Sequence, residues 1–164
     1  MNREWSRAYP PGAGRWGVIA WEAGGLAYLH WTTARLFDLP DAAAWALAAA
    51  FLLVWLLGSW RVVRMGPYVS GDALLLRGVF RSRTIPWTDI EDAAAEEITH
   101  RLGAFRVPAG RAVVLTLRSG ERVTTSVWEK GLDLHRRPDL FGQVCRELRA
   151  RVLAARVPAR PPAR

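Results

Sequence analysis

The chain has 164 residues, a net charge of +8, and 22 arginines among its 23 basic residues, with Lys130 the exception. That length suits one compact domain beside a small membrane unit, and the surplus fits a partner with negative charge, anionic lipid before nucleic acid. A single cysteine, Cys145, excludes an intramolecular disulfide and any cysteine metal cluster, and it permits a reducing, cytoplasmic setting.

Residues 1–15 are polar, contain Pro10, Pro11, Gly12 and Gly14, and read as an irregular cytoplasmic tail. A stretch of 19 residues follows, Trp16 to Ala34, which carries Glu22, His30 and three glycines. A cleaved signal peptide is the rival reading. Glu22 inside the apolar run and the lack of a small-x-small cleavage site favour a first transmembrane helix over about 16–35, anchored by Trp16 and Trp31.

Arg35 to Asp41 reads as a tight connection, with Asp41 as N-cap of the next helix. That helix, about 42–62, contains Ala42 to Trp60, 19 residues without a charge, ten of them large and apolar on every side. At about 1.5 Å of rise per residue it nearly spans a hydrocarbon core of roughly 30 Å. A buried core helix is the alternative, and so short a chain has little to wrap around it. Arg3, Arg7 and Arg15 precede the pair, and Arg61, Arg64 and Arg77 follow it. The bias predicts a multi-pass protein of the cell membrane with both termini cytoplasmic.

From Met65 the periodicity becomes that of β structure. Ala73–Phe80 and Arg81–Trp87 are short β-rich runs after a Ser70-Gly71-Asp72 turn. Val113, Leu115 and Leu117 alternate before the Ser119-Gly120 turn, and Val123, Thr125 and Val127 alternate after it. A terminal helix, 138–155, opens with Pro138 and carries an apolar stripe of Phe141, Val144, Cys145, Leu148 and Val152. Residues 157–164 read as a basic disordered tail. Thr88 to Gly103 has the local signals of a helix, a capping box at Thr88 and Glu91 and a closing glycine.

GDALLLRGVFRSRTIPWTDI, followed after a gap by VVLTLRSGERV, resembles the bacterial PH domain of small actinobacterial membrane proteins, which carry two upstream transmembrane helices. Ile85, Pro86, Trp87, Thr88, Asp89 and Ile90 carry the most specific part of the likeness. The resemblance covers roughly residues 65–155. It implies an α+β membrane protein: a two-helix hairpin, then a seven-stranded antiparallel sandwich over 63–156 closed by the C-terminal helix. It also implies that Glu91–Ile98 is a strand, with Asp89 capping one turn after Trp87, and that reading is preferred because tertiary pairing overrides propensity.

Three candidate sites remain. Arg77, Arg81 and Arg83 cluster around one hairpin and suit an anionic lipid surface, through forked charge-assisted donors. The alternative is a solvated strand edge that deters aggregation. The first hairpin loop, Ser70-Gly71-Asp72, has no basic residue, which speaks against inositol-phosphate recognition. Glu22 must be paired, neutral or close to the interface, and Trp55 lies at a matching depth to donate to it. Ala20, Gly24 and Ala27 form a small-residue face for helix packing, within the hairpin or with a partner. Glu91, Asp92, Glu96 and Glu97 read as an exposed acidic face rather than a cation site. His100 and His135 lack metal-ligand spacing.

No catalytic, metal or cofactor set emerges. The expectation is a non-enzymatic anchored domain that binds membrane lipid, a protein partner or a second copy. The alternative is an accessory subunit of a larger membrane complex. Nucleic acid is not an expected partner.

Overall fold

The computed structural model describes residues 4–102 and 105–156, with side chains except those of 100–102 and 105–109. The chain forms two compact units. One is residues 11–65. The other joins residues 1–10 to residues 66–164.

The helical unit holds α1, Ala13–Leu36, and α2, Asp41–Arg64. Each helix begins or ends a few residues outside its expected bounds. Asp41 is the first residue of α2 rather than its cap, a position at which its charge still favours the helix N-terminus. The two helices pack antiparallel: Ile19 accepts a hydrogen bond from Trp55, and Arg15 reaches the last turn of α2. Most of α2 points outward, with Leu52, Leu53, Val54, Leu56 and Leu57 exposed. Among the described residues α2 alone is long and apolar enough to cross a membrane. The expected pair of spans is thus met by one helix on composition, because Arg15, Glu22 and His30 dilute α1.

Arg15 is no tail residue. It is 1% exposed in the first turn of α1. Its guanidinium donates to the carbonyls of Val62 at 2.7 Å, Val63 at 3.1 Å and Met65 at 2.6 Å. Carbonyls at a helix C-terminus have no partner within the helix, and a cation there also opposes the helix dipole. Arg15 clasps the base of the helix pair.

The second unit contains two antiparallel sheets. The first has the order β1-β2-β3-β4, with β1 Ser6–Arg7, β2 Gly66–Val69, β3 Ala73–Arg77 and β4 Ser82–Pro86. The second has the order β5-β6-β7, with β5 Ile90–Leu102, β6 Phe105–Leu117 and β7 Arg122–Trp128. The helix α3, Pro138–Arg156, follows, and its stripe of Phe141, Val144, Leu148 and Val152 is buried in the core the two sheets share. Residues 91–98 lie in β5 as a strand, paired along its length with β6. The capping signals at Thr88 are overridden: Trp87–Asp89 is a single 3-10 turn without a side-chain cap, and Asp89 ends that turn instead of capping it. Gly103 and the tail 157–164 fall outside the described residues.

Among the described residues seven strands form, but six of them follow residue 65. The first comes from ahead of the helices. Ser6 pairs with Val69 and Arg7 with Tyr68, and the Ala8 amide donates to the Pro67 carbonyl at 3.1 Å. Tyr9, 3% exposed, sits in the core, and Arg137 donates to the Pro10 carbonyl at 3.4 Å. Residues 4–10 are therefore part of the β-rich unit, not an irregular tail. The helical unit is an insertion between its first and second strands.

Candidate functional site

The phrase from Ile85 to Ile90 is structural. Ile85, Trp87 and Ile90 are buried in the core, Trp87 being 3% exposed. The Trp87 amide donates to the Asp72 carbonyl and its indole to the Ser70 carbonyl at 3.0 Å. The Ser70 hydroxyl in turn donates to Asp72 at 2.7 Å and accepts from the Ala73 amide at 3.1 Å. Trp87 thus ties the β2–β3 turn to the strand that follows β4. Pro86 and Asp89 lie at the surface around it.

The basic hairpin is β3–β4. Its connection is Gly78 to Arg81, so β3 stops at Arg77, short of the expected Phe80. The Gly78 amide donates to the Arg81 carbonyl at 2.8 Å, and a Cβ at Gly78 would lie 2.9 Å from that oxygen. Only glycine allows this approach without displacement. The tight turn presents Phe80 to solvent, 88% exposed.

The three arginines of this hairpin differ in their freedom. Arg77 lies over the Tyr68 ring, 5.0 Å from its centre, and Arg7 lies 5.5 Å from the same ring. Arg83 makes a two-pronged pair with Glu121, one of its bonds 2.7 Å long. Those bonds hold the Glu121 carboxyl below its ordinary value. The Arg81 side chain is exposed and makes no hydrogen bond or ion pair among the described residues. So the structure brings Arg77 and Arg81 to one turn and commits Arg83 to a clip across the unit.

Beside this turn runs an open groove of about 900 Å³. Leu76, Val114, Val123 and Trp128 contribute apolar surface to it, and Arg77 and Arg81 are among its charged residues. Glu96 also lines it and is paired with Arg122. Among the described residues no group of three His, Cys, Asp or Glu is placed to hold a metal ion. Cys145 is half-buried on α3, and burial pushes its thiol up, toward the protonated and unreactive form.

In the helical unit the expected Glu22–Trp55 bond does not form. The Trp55 indole donates to the Ile19 carbonyl at 3.1 Å instead, which leaves Glu22 exposed on another part of α1. Ala20 and Gly24 are exposed as well, and no atom lies within 4 Å of a Cβ built on Gly24. Ala27 borders a shallow apolar cleft between the helices, with Leu26, His30, Phe51 and Trp55. The helix contact thus runs through Arg15 and Ile19, and Ala20 and Gly24 lie outside it.

Tyr68, Phe80 and Glu121 were not singled out by sequence reasoning. Phe80 had a signal, since Gly78 three residues before Arg81 marks a turn, and an aromatic at a turn tip has nothing to pack against.

Two antiparallel sheets of four and three strands around one core, closed by a C-terminal helix, define the pleckstrin-homology-like class. A family model described as Bacterial PH domain matches residues 68–140, from β2 into the start of α3. Over that span the β-rich unit is thus similar to a bacterial PH domain, a class that in general binds proteins or lipids and is non-catalytic. No curated protein and no solved structure matches the chain.

Proposed function

We propose that the chain is a non-enzymatic binding module anchored in the cell membrane by the α1–α2 hairpin. The observation that carries this reading is the insertion of the helices between two hydrogen-bonded strands. Arg7 and Tyr68 are paired neighbours, so the excursion from residue 11 to residue 65 begins and ends at one place. A helix as apolar as α2, exposed along most of its length, needs lipid around it. If α2 crosses once, the chain must cross back, because β1 and β2 cannot lie on opposite sides of a bilayer and still pair. On this reading α1 is the second span despite its polar residues.

The arginines at the ends of the excursion, Arg7, Arg61, Arg64 and Arg77, favour the cytoplasmic side for both termini. A fluorescent protein fused after Arg164 is expected to fluoresce, and a phosphatase fused there to be inactive. An active phosphatase would contradict the proposal.

A second reading, an accessory subunit of a larger membrane complex, is favoured by Glu22. Its carboxylate makes no hydrogen bond or ion pair among the described residues and is flanked on α1 by the exposed Trp21. In hydrocarbon such a group calls for a donor from elsewhere. Purification of the wild type and Glu22→Leu in mild detergent tests it. A protein released by the substitution supports a partner at this face, and unchanged association removes the reading.

A further inference from the structure

Among the described residues Phe80 is the most exposed large apolar side chain of the β-rich unit, and nothing in the fold accounts for it. Its turn is tightly closed through Gly78, so the ring is held out rather than left to fold back. The two arginines that bracket it are those not committed to a carboxylate: Arg77 against Tyr68, and Arg81 with a guanidinium that has no partner among the described residues.

Strand register gives this turn a direction. Gly66 pairs with Arg77, and Arg77 pairs with Ser82. Gly66 is two residues after Arg64, the last residue of α2. The Gly78–Arg81 turn therefore lies just past the end of the first sheet at which the chain arrives from α2. The Ser70–Asp72 turn lies at the opposite end, about 13 Å away along a four-residue strand.

We propose that the Gly78–Arg81 turn docks on the anionic bilayer that holds the helical hairpin, with Phe80 at the headgroup–acyl boundary and Arg77 and Arg81 against lipid phosphates. The inference rests on the membrane-anchored reading above. An exposed ring between two cations matches a surface that is apolar beneath and negative on top. A water-filled surroundings would leave the ring hydrated at a cost, and a protein partner would not require the turn to sit at the α2 end of the sheet. Docking by this turn would hold the domain in one orientation on the bilayer.

The test uses the full chain in lipid nanodiscs, with Cys145→Ala and one environment-sensitive fluorophore on Phe80→Cys, Gly71→Cys or Leu53→Cys. Aqueous iodide and a lipid-borne spin label serve as opposing quenchers. The Leu53 label reports on the anchor and is expected to respond to the lipid quencher alone, and the Gly71 label to iodide alone. The Phe80 label is expected to respond to the lipid quencher in discs containing phosphatidylglycerol. Adding Arg77→Ala and Arg81→Ala should shift it toward iodide, by about fivefold in the docking equilibrium for each arginine.

To keep Phe80 in place, the fluorophore is moved to Ser82→Cys. Its lipid quenching should be present with Phe80 and lost with Phe80→Asp. A Leu53 label in lipid together with a Phe80 label as open to iodide as that at Gly71 would overturn the docking proposal and leave the anchor standing. A Ser82 signal indifferent to Phe80→Asp would overturn it too. A Leu53 label open to iodide would overturn the anchor and the docking together.

Discussion

The two units of this chain put their apolar side chains in opposite places. In the PH domain Leu74, Ile90, Leu115 and Leu148 are buried at 0–1% exposure. In α2, Leu52, Leu53, Leu56 and Leu57 are all more than half exposed. The first pattern is stable in water because the protein is its own apolar solvent. The second is complete only when something else supplies that solvent, and a bilayer can do so for a helix of 24 residues. Apolar content alone does not distinguish the units. The direction it faces does.

The sharpest way to break this contrast is the same substitution in both units. Leu115→Ala is expected to destabilise the PH domain by about 2–5 kcal/mol, through lost burial and a cavity. Leu53→Ala should change the stability of the helical unit in detergent by about 0.5 kcal/mol or less, as for an exposed position. Hydrogen exchange on the full chain resolves the two units separately, and equal effects would mean that α2 is packed inside protein.

The boundary between the units is sharpened by Tyr9. It stands before the helices in sequence, yet Tyr9→Ala should destabilise the PH domain by about 3 kcal/mol and leave α1 and α2 protected from exchange. Loss of protection in the helices alone would assign the N-terminal segment to the wrong unit.

Arg15→Ala acts on the other side of that boundary. It removes the charged donor from three carbonyls at the end of α2, and about 2 kcal/mol of helix-pair stability should go with it. Arg15→Lys should recover part of this, since a point charge replaces a fork. Exchange at the α2 C-terminus is the measurement, and an unchanged rate there would show that the clasp contributes nothing.

The smallest effect belongs to the surface clip. Arg83 hydrogen-bonds to Glu121 and lowers its carboxyl pKa, so the fold favours the ionised form. The contribution is complete above the ordinary value of 4.5 and is lost as pH falls through the lowered one. Both side chains are solvent-exposed, so the loss should be slight. The difference between wild type and Glu121→Gln in thermal unfolding should vanish at acid pH; a difference that grows there would reverse the sign.

How far the sequence reveals this arrangement depends on the range of the forces involved. The α2 run, the β6–β7 alternation and the α3 stripe are legible, because each reflects a local period that burial or lipid imposes on consecutive residues. The strand at 91–98 opposes its own capping signals and follows instead from pairing with β6, a contact that the segment does not encode alone. β1 has no period to read, being two residues beside a proline pair. Its strand character comes from a partner more than 60 residues away. The basic turn is visible as a cluster of arginines, but the division of labour within it is not. Arg83 is committed by Glu121, 38 residues distant, and Phe80 is exposed by a turn that Gly78 closes. Trp55 and Glu22 match in depth, yet a backbone carbonyl takes the indole hydrogen.

We propose that the helical unit, inserted between the first two strands of the β-rich unit, is a membrane hairpin. This is tested most directly by side-specific labelling in intact and inverted membrane vesicles, with Cys145→Ala as background. Phe37→Cys lies in the exposed connection between α1 and α2, and Gly71→Cys lies in an exposed turn of the PH domain. A membrane-impermeant maleimide should reach Phe37→Cys from one side of the membrane and Gly71→Cys from the other. Labelling of both from the same side would contradict the insertion of a two-helix span.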